Sequence, residues 1–243
     1  MNNKIKNEIN EKLNIHLVLD TSGSMRSCRE ETVDSINEYI KSIKGEKVKG
    51  VFTLTTFNSK SIDKKLFLIE LNELRKLSYE VLMPTGYTPL YDAIGFSINE
   101  LSKQTRFKNE KKVLVIVTDG LENASREFTS ADIKSLIKQK TDEGWLILYL
   151  GADHDAITQS GDMGFEYGKT LQYSKVDSQH AFKSVADKTT TYYRGESNNG
   201  VEFFEEERIN SNKKLYKQIQ KKIKIVKFWK IKGIIKKKHN WKI

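Results

Sequence analysis

With a single cysteine, Cys28, the 243-residue chain has no intrachain disulfide and no thiolate-rich zinc site. Proline is almost as scarce. Both prolines, Pro84 and Pro89, fall in one turn, and nothing marks an interdomain linker before residue 211. Long apolar runs are missing as well. The longest, around Lys112–Thr118 and Trp145–Gly151, fall far short of the roughly 20 residues a membrane-spanning helix needs. Met1 opens onto an Asn/Lys/Glu stretch without the apolar segment of a secretory signal. No internal repeat is visible. These absences lead us to expect a soluble, cytoplasmic protein.

Acidic residues are missing from one region only. The chain carries 42 Lys+Arg against 32 Asp+Glu, a net charge of +10, but residues 211–243 hold 13 lysines and no acid. The rest has 29 basic and 32 acidic residues, a net charge of −3, which is ordinary for a folded domain. Apolar residues make up 37% and aromatics 10%, enough for a substantial core. The expected division is a polar lead over 1–11, a domain over 12–210 and a Lys-rich extension over 211–243.

Through the domain, strand and helix patterns alternate. Leu13–Asp20 reads as a buried strand running into a Ser/Gly turn. Val33, Ile36, Tyr39, Ile40 and Ile43 form a helical stripe that Gly45 ends. Val51–Phe57 and Ser61–Leu71 read as a hairpin at a sheet edge. Thr88 is placed to cap a helix whose first position would be Pro89, with Leu90, Ala93, Ile94, Ile98 and Leu101 as its stripe. The five consecutive apolar residues Val113–Val117 indicate a strand covered on both faces. A helix over Ser130–Thr141 and a strand over Trp145–Leu150 follow. Shorter elements are expected near Ala156–Met163, Thr170–Tyr173 and Ser178–Tyr193. The alternation predicts an α/β fold with a mostly parallel, Rossmann-like sheet and helices on both faces.

Three oxygen-rich turns sit where this pattern places strand ends or helix starts. Asp20-Thr21-Ser22-Gly23-Ser24 follows the first strand and Thr85-Gly86-Tyr87-Thr88 precedes a helix. Asp119 ends the central strand. In an open parallel sheet such turns gather at the carboxyl edge, where ligands bind. Carboxylate, hydroxyl and water oxygens suit a small hard cation such as Mg²⁺. With mostly neutral ligands the ion would keep positive charge and attract an outside carboxylate.

Asp20-x-Ser22-x-Ser24, Thr88 within Gly86–Leu90, and Asp119 within Val117–Gly120 resemble the metal-ion-dependent adhesion site of von Willebrand factor A domains. The likeness covers roughly residues 12–195. It implies that Ser22, Ser24 and Thr88 supply hydroxyls to the metal, while Asp20 and Asp119 act largely through waters or hydrogen bonds. It also implies Mg²⁺, with Mn²⁺ or Ca²⁺ as alternatives, bridging to an acidic residue of a protein partner. Thr118–Ser125 and Leu150–Asp153 are similar to stand-alone bacterial and phage members, although Leu121 stands where that subgroup leads us to expect an acid.

Other chemistries fit less well. A bare Ser/Thr cap explains any one turn but not three in register. Asp20-Thr21-Ser22 is not the Asp-Thr-Gly of aspartic proteases. Gly168-Lys169-Thr170 resembles the end of a phosphate-binding loop, yet Met163 stands where that motif requires Gly. A metal-dependent hydrolase would need a nearby base. His154 is the one histidine at a strand's carboxyl end, and we expect it to be an exposed loop residue. Cys28 is expected to be packing and His16 packed or at an edge. In the extension, Phe228, Trp229 and Trp241 among lysines would allow anionic-membrane or nucleic-acid binding, set against a solvated helix or a coding artefact. The expected function is a non-enzymatic, metal-dependent protein-binding module.

Overall fold

The computed structural model describes residues 11–107, 110–152 and 155–231, with side chains as far as Lys224. Six strands form one sheet: β1 (Lys12–Asp20), β2 (Gly50–Asn58), β3 (Ser61–Glu70), β4 (Glu110–Thr118), β5 (Leu146–Ala152) and β6 (Thr170–Tyr173). Their order is β3-β2-β1-β4-β5-β6. All neighbours are parallel except β2 and β3, the expected hairpin at the edge.

Two apolar layers cover the sheet. On one face Leu13, Ile15, Leu17 and Leu19 of β1 pack with Ile36 and Tyr39 of α1 (Arg29–Gly45) and with Phe182 and Val185 of α5 (Ser178–Tyr193). On the other, Val18 of β1 joins α2 (Leu90–Lys103) through Ile94 and Ile98, and α3 (Ser130–Asp142) through Ile133 and Ile137. The unbroken run in β4 is explained by this sandwich. Val113, Val115 and Val117 enter the first layer, while Leu114 and Ile116 enter the second. Full burial of such a side chain contributes about 1.5–3 kcal/mol. Three further helices complete the described chain: α4 (Ala156–Asp162), α6 (Glu205–Ser211) and α7 (Lys213–Ile231). Among the described residues no helix is long and apolar enough to cross a membrane.

One local expectation is corrected. Pro89 is the residue before the first turn of α2 rather than its first position, and Thr88 makes no cap. A proline there still supplies no unsatisfied amide, and the Thr88 hydroxyl is left for other work. At α3 the cap is Thr129, which exchanges hydrogen bonds with Asp132 in a capping box.

His16 is 1% exposed, and its Nε2 lies 2.8 Å from Thr55 Oγ1. Burial, aided by the Lys64 charge, pushes its pKa down to about 3. Between that value and the ordinary 6.5 the unfolded chain takes up a proton that the folded chain refuses. Stability from this group is therefore complete above about pH 6.5 and is lost as pH falls. Going from about pH 6.5 to about 5.5 is expected to cost about 1 kcal/mol through His16. Urea denaturation of wild type and His16→Gln across this range checks it; identical pH slopes would contradict a neutral, buried imidazole.

Candidate metal centre

Parallel strands β1 and β4 are neighbours, yet the chain leaves β1 for β2 on one side and β4 for β5 on the other. This is a topological switch point, where the loops part and open a crevice at the carboxyl edge. Asp20 ends β1 and Asp119 follows β4, so the two carboxylates flank that crevice.

Asp20 is fully buried. Its Oδ1 accepts from the Ser22 amide at 2.6 Å, and its Oδ2 accepts from the Thr118 hydroxyl at 2.6 Å. Burial raises its pKa to about 6 against the pull of those hydrogen bonds, and the Asp119 charge adds to the rise. Ser22 Oγ and Ser24 Oγ lie 3.0 Å apart, and Ser24 Oγ donates to Asp119 Oδ1 at 2.5 Å. Ser22 does not cap the helical turn Gly23–Cys28 through its side chain.

Thr88 reaches the same place. A Cβ on Gly120 would stand 2.8 Å from Thr88 Oγ1 and 3.6 Å from Asp20 Oδ2, so only a glycine leaves room for that hydroxyl beside the carboxylate. The Thr88 backbone is clamped by Asn123, whose Oδ1 accepts from the Thr88 amide at 2.8 Å and whose amide donates to the Thr88 carbonyl at 3.2 Å. The turn before it is tied to the first by Thr85 N donating to Thr21 O and Gly23 N donating to Gly86 O. All five sequence-predicted residues, Asp20, Ser22, Ser24, Thr88 and Asp119, thus meet at one crevice.

Among the described residues no three His, Cys, Asp or Glu side chains cluster to hold a metal. The donor set is instead three hydroxyls and two carboxylates, an all-oxygen set that fits a hard divalent cation. Leu121 is exposed and adds no carboxylate. Glu122 turns inward, accepting from the amides of Tyr91, Ala124 and Ser125.

Sequence reasoning missed Thr118 as the partner of Asp20, Asn123 as the clamp on Thr88, and Lys175. The Lys175 ammonium lies 2.8 Å from Asp119 Oδ2. The first two belong to the run Thr118–Ser125 already singled out, whereas Lys175 has no motif around it. Cys28 is buried, and burial pushes its thiol up to about 11, as packing requires. Lys169 donates to the backbone carbonyls of Asn198 and Val201, so it holds the fold rather than a phosphate. Asp153, His154, His239 and Trp241 lie outside the described residues, and the side chains of Phe228 and Trp229 lie outside those described.

Residues 15–122 match the family model of the von Willebrand factor type A domain, a span that contains all five residues. Solved structures share the fold. Proximal thread matrix protein 1 from the mussel byssus has a TM-score of 0.53 at 14% identity, over 72% of this chain and 47% of that one. The vWF domain of the type V pili tip protein Mfa5 from Porphyromonas gingivalis has a TM-score of 0.57 at 12% identity, over 80% and 97%. Manganese-loaded TRAP protein of Plasmodium vivax has a TM-score of 0.51 at 12% identity, over 70% and 71%. This chain therefore spans about half of the mussel protein. No curated protein matches the chain significantly. The sheet and its two helical layers are those of a von Willebrand factor A-type fold.

Proposed function

We propose that this chain is a divalent-metal-dependent protein-binding module, and that it is not an enzyme. The observation that carries the reading is the convergence of the Ser22, Ser24 and Thr88 hydroxyls with the Asp20 and Asp119 carboxylates at the switch point. Ser22, Ser24 and Thr88 would hold Mg²⁺ or Mn²⁺ through their hydroxyls, with Asp20 and Asp119 behind them. When bound, the ion supplies a Lewis-acidic position that an acidic residue of a partner protein can occupy. Asp20 orients the first turn through the Ser22 amide, and Asp119 orients Ser24. The manganese in the Plasmodium structure supports a divalent ion at this fold.

The test compares wild type with Asp20→Ala, each in Mg²⁺ and in EDTA. Retention of a partner from native lysate is expected for wild type in Mg²⁺, and is expected to be lost in the other three arms. Removing a buried carboxylate that accepts two hydrogen bonds deprives the first turn of its anchor. Equal retention in all four arms would reject the metal as the recognition element. A truncation separating the basic extension from this test starts at Lys213, because Ser211 and Asn212 are buried against the domain.

A further inference from the structure

We propose that Lys175 is a built-in second cation of this centre, a positioning residue that takes up part of the Asp119 charge and leaves the metal-loaded site more positive toward a carboxylate. The inference rests on the metal-binding reading above. Lys175 Nζ lies 2.8 Å from Asp119 Oδ2 and donates to Ser27 Oγ at 2.7 Å. The two oxygens of Asp119 are thereby divided: Oδ1 takes the Ser24 hydroxyl and Oδ2 takes the ammonium. The Asp119 side chain is wholly enclosed and that of Lys175 is 23% exposed, so water screens the pair weakly.

The lysine is held in place by its backbone. Ser174 N donates to Ser211 O at 2.8 Å, Ser174 Oγ to Asp177 Oδ2 at 2.7 Å, and Asp177 N to Ser174 O at 2.9 Å. These bonds close the turn that carries Lys175 out of β6 and into α5, so the ammonium is delivered to the crevice by the fold.

The sign of the charge then decides the effect. An ammonium against one oxygen of Asp119 repels a divalent ion held near the other and attracts an incoming carboxylate. The lysine therefore weakens ion affinity and strengthens anion affinity. A merely structural lysine would lower both when removed.

The test uses the full chain and Mn²⁺ alone, with the affinity measured by isothermal titration at low ionic strength. Acetate is then titrated against the loaded protein and read by water-proton relaxation. Lys175→Met is expected to bind Mn²⁺ roughly tenfold more tightly and acetate severalfold more weakly, with Lys175→Arg near wild type in both. Mn²⁺ affinity unchanged or lower in Lys175→Met would overturn the proposal, as would unchanged acetate binding. Absence of Mn²⁺ binding by wild type would instead overturn the metal reading beneath it.

Discussion

Asp92→Ala is expected to lower the stability of the domain by about 3–5 kcal/mol. Asp92, in the first turn of α2, is buried, and its carboxylate accepts from three consecutive amides: Arg126 at 2.8 Å, Glu127 at 2.9 Å and Phe128 at 2.9 Å. Alanine would leave those amides without the acceptor that replaces water, and each unmade bond to a charged group costs about 1.5–3 kcal/mol. The carboxylate ties residues 126–128 to α2, and Phe128 meets Phe96 edge-on with ring centres 5.4 Å apart. The loop bearing Gly120 and Asn123 keeps its own ties, from Asn123 to Thr88 and from Glu122 to the Tyr91 amide, so the effect is expected in stability. Urea denaturation measures it through the midpoint at constant slope. A change below about 1 kcal/mol would show that the amides find water instead.

Gly50→Ala is expected to cost about 4 kcal/mol or more, a large share of the roughly 5–15 kcal/mol by which a domain of ordinary stability is folded. Gly50 begins β2 at φ +148°, and a Cβ there would stand 1.9 Å from the Leu13 carbonyl oxygen and 2.7 Å from the Leu13 nitrogen. Both are backbone atoms of β1, the strand directly paired with it, so no side-chain rotation relieves the overlap. Gly45, at the end of α1, has nothing within 4 Å of its would-be Cβ. Gly45→Ala is the matched control, with an expected change within about 1 kcal/mol. Comparable soluble yield and melting temperature for the two variants would contradict the close approach.

Much of the fold is legible in the sequence because its signals are local. The apolar run Val113–Val117 is buried on both faces of β4, and the stripe from Val33 to Ile43 is the inner face of α1. These patterns follow from periods of two and 3.6, which neighbours along the chain satisfy. The edge hairpin is legible for the same reason. Thr88 reads as a cap because a hydroxyl before a proline carries that local signature whether or not its oxygen is used.

By itself the sequence determined the strand and helix order and the five oxygen-bearing residues at its turns. The tertiary structure alone decided that β1 and β4 lie side by side, which brings Asp20 and Asp119 to one crevice. It also decided that Thr88 enters over Gly120 and that the Asp92 carboxylate takes the amides of residues 126–128. Lys175 reaches Asp119 from 56 residues away, across strands β5 and β6. Strand order and long-range charge pairing depend on how the whole chain closes, so no short window of residues encodes them.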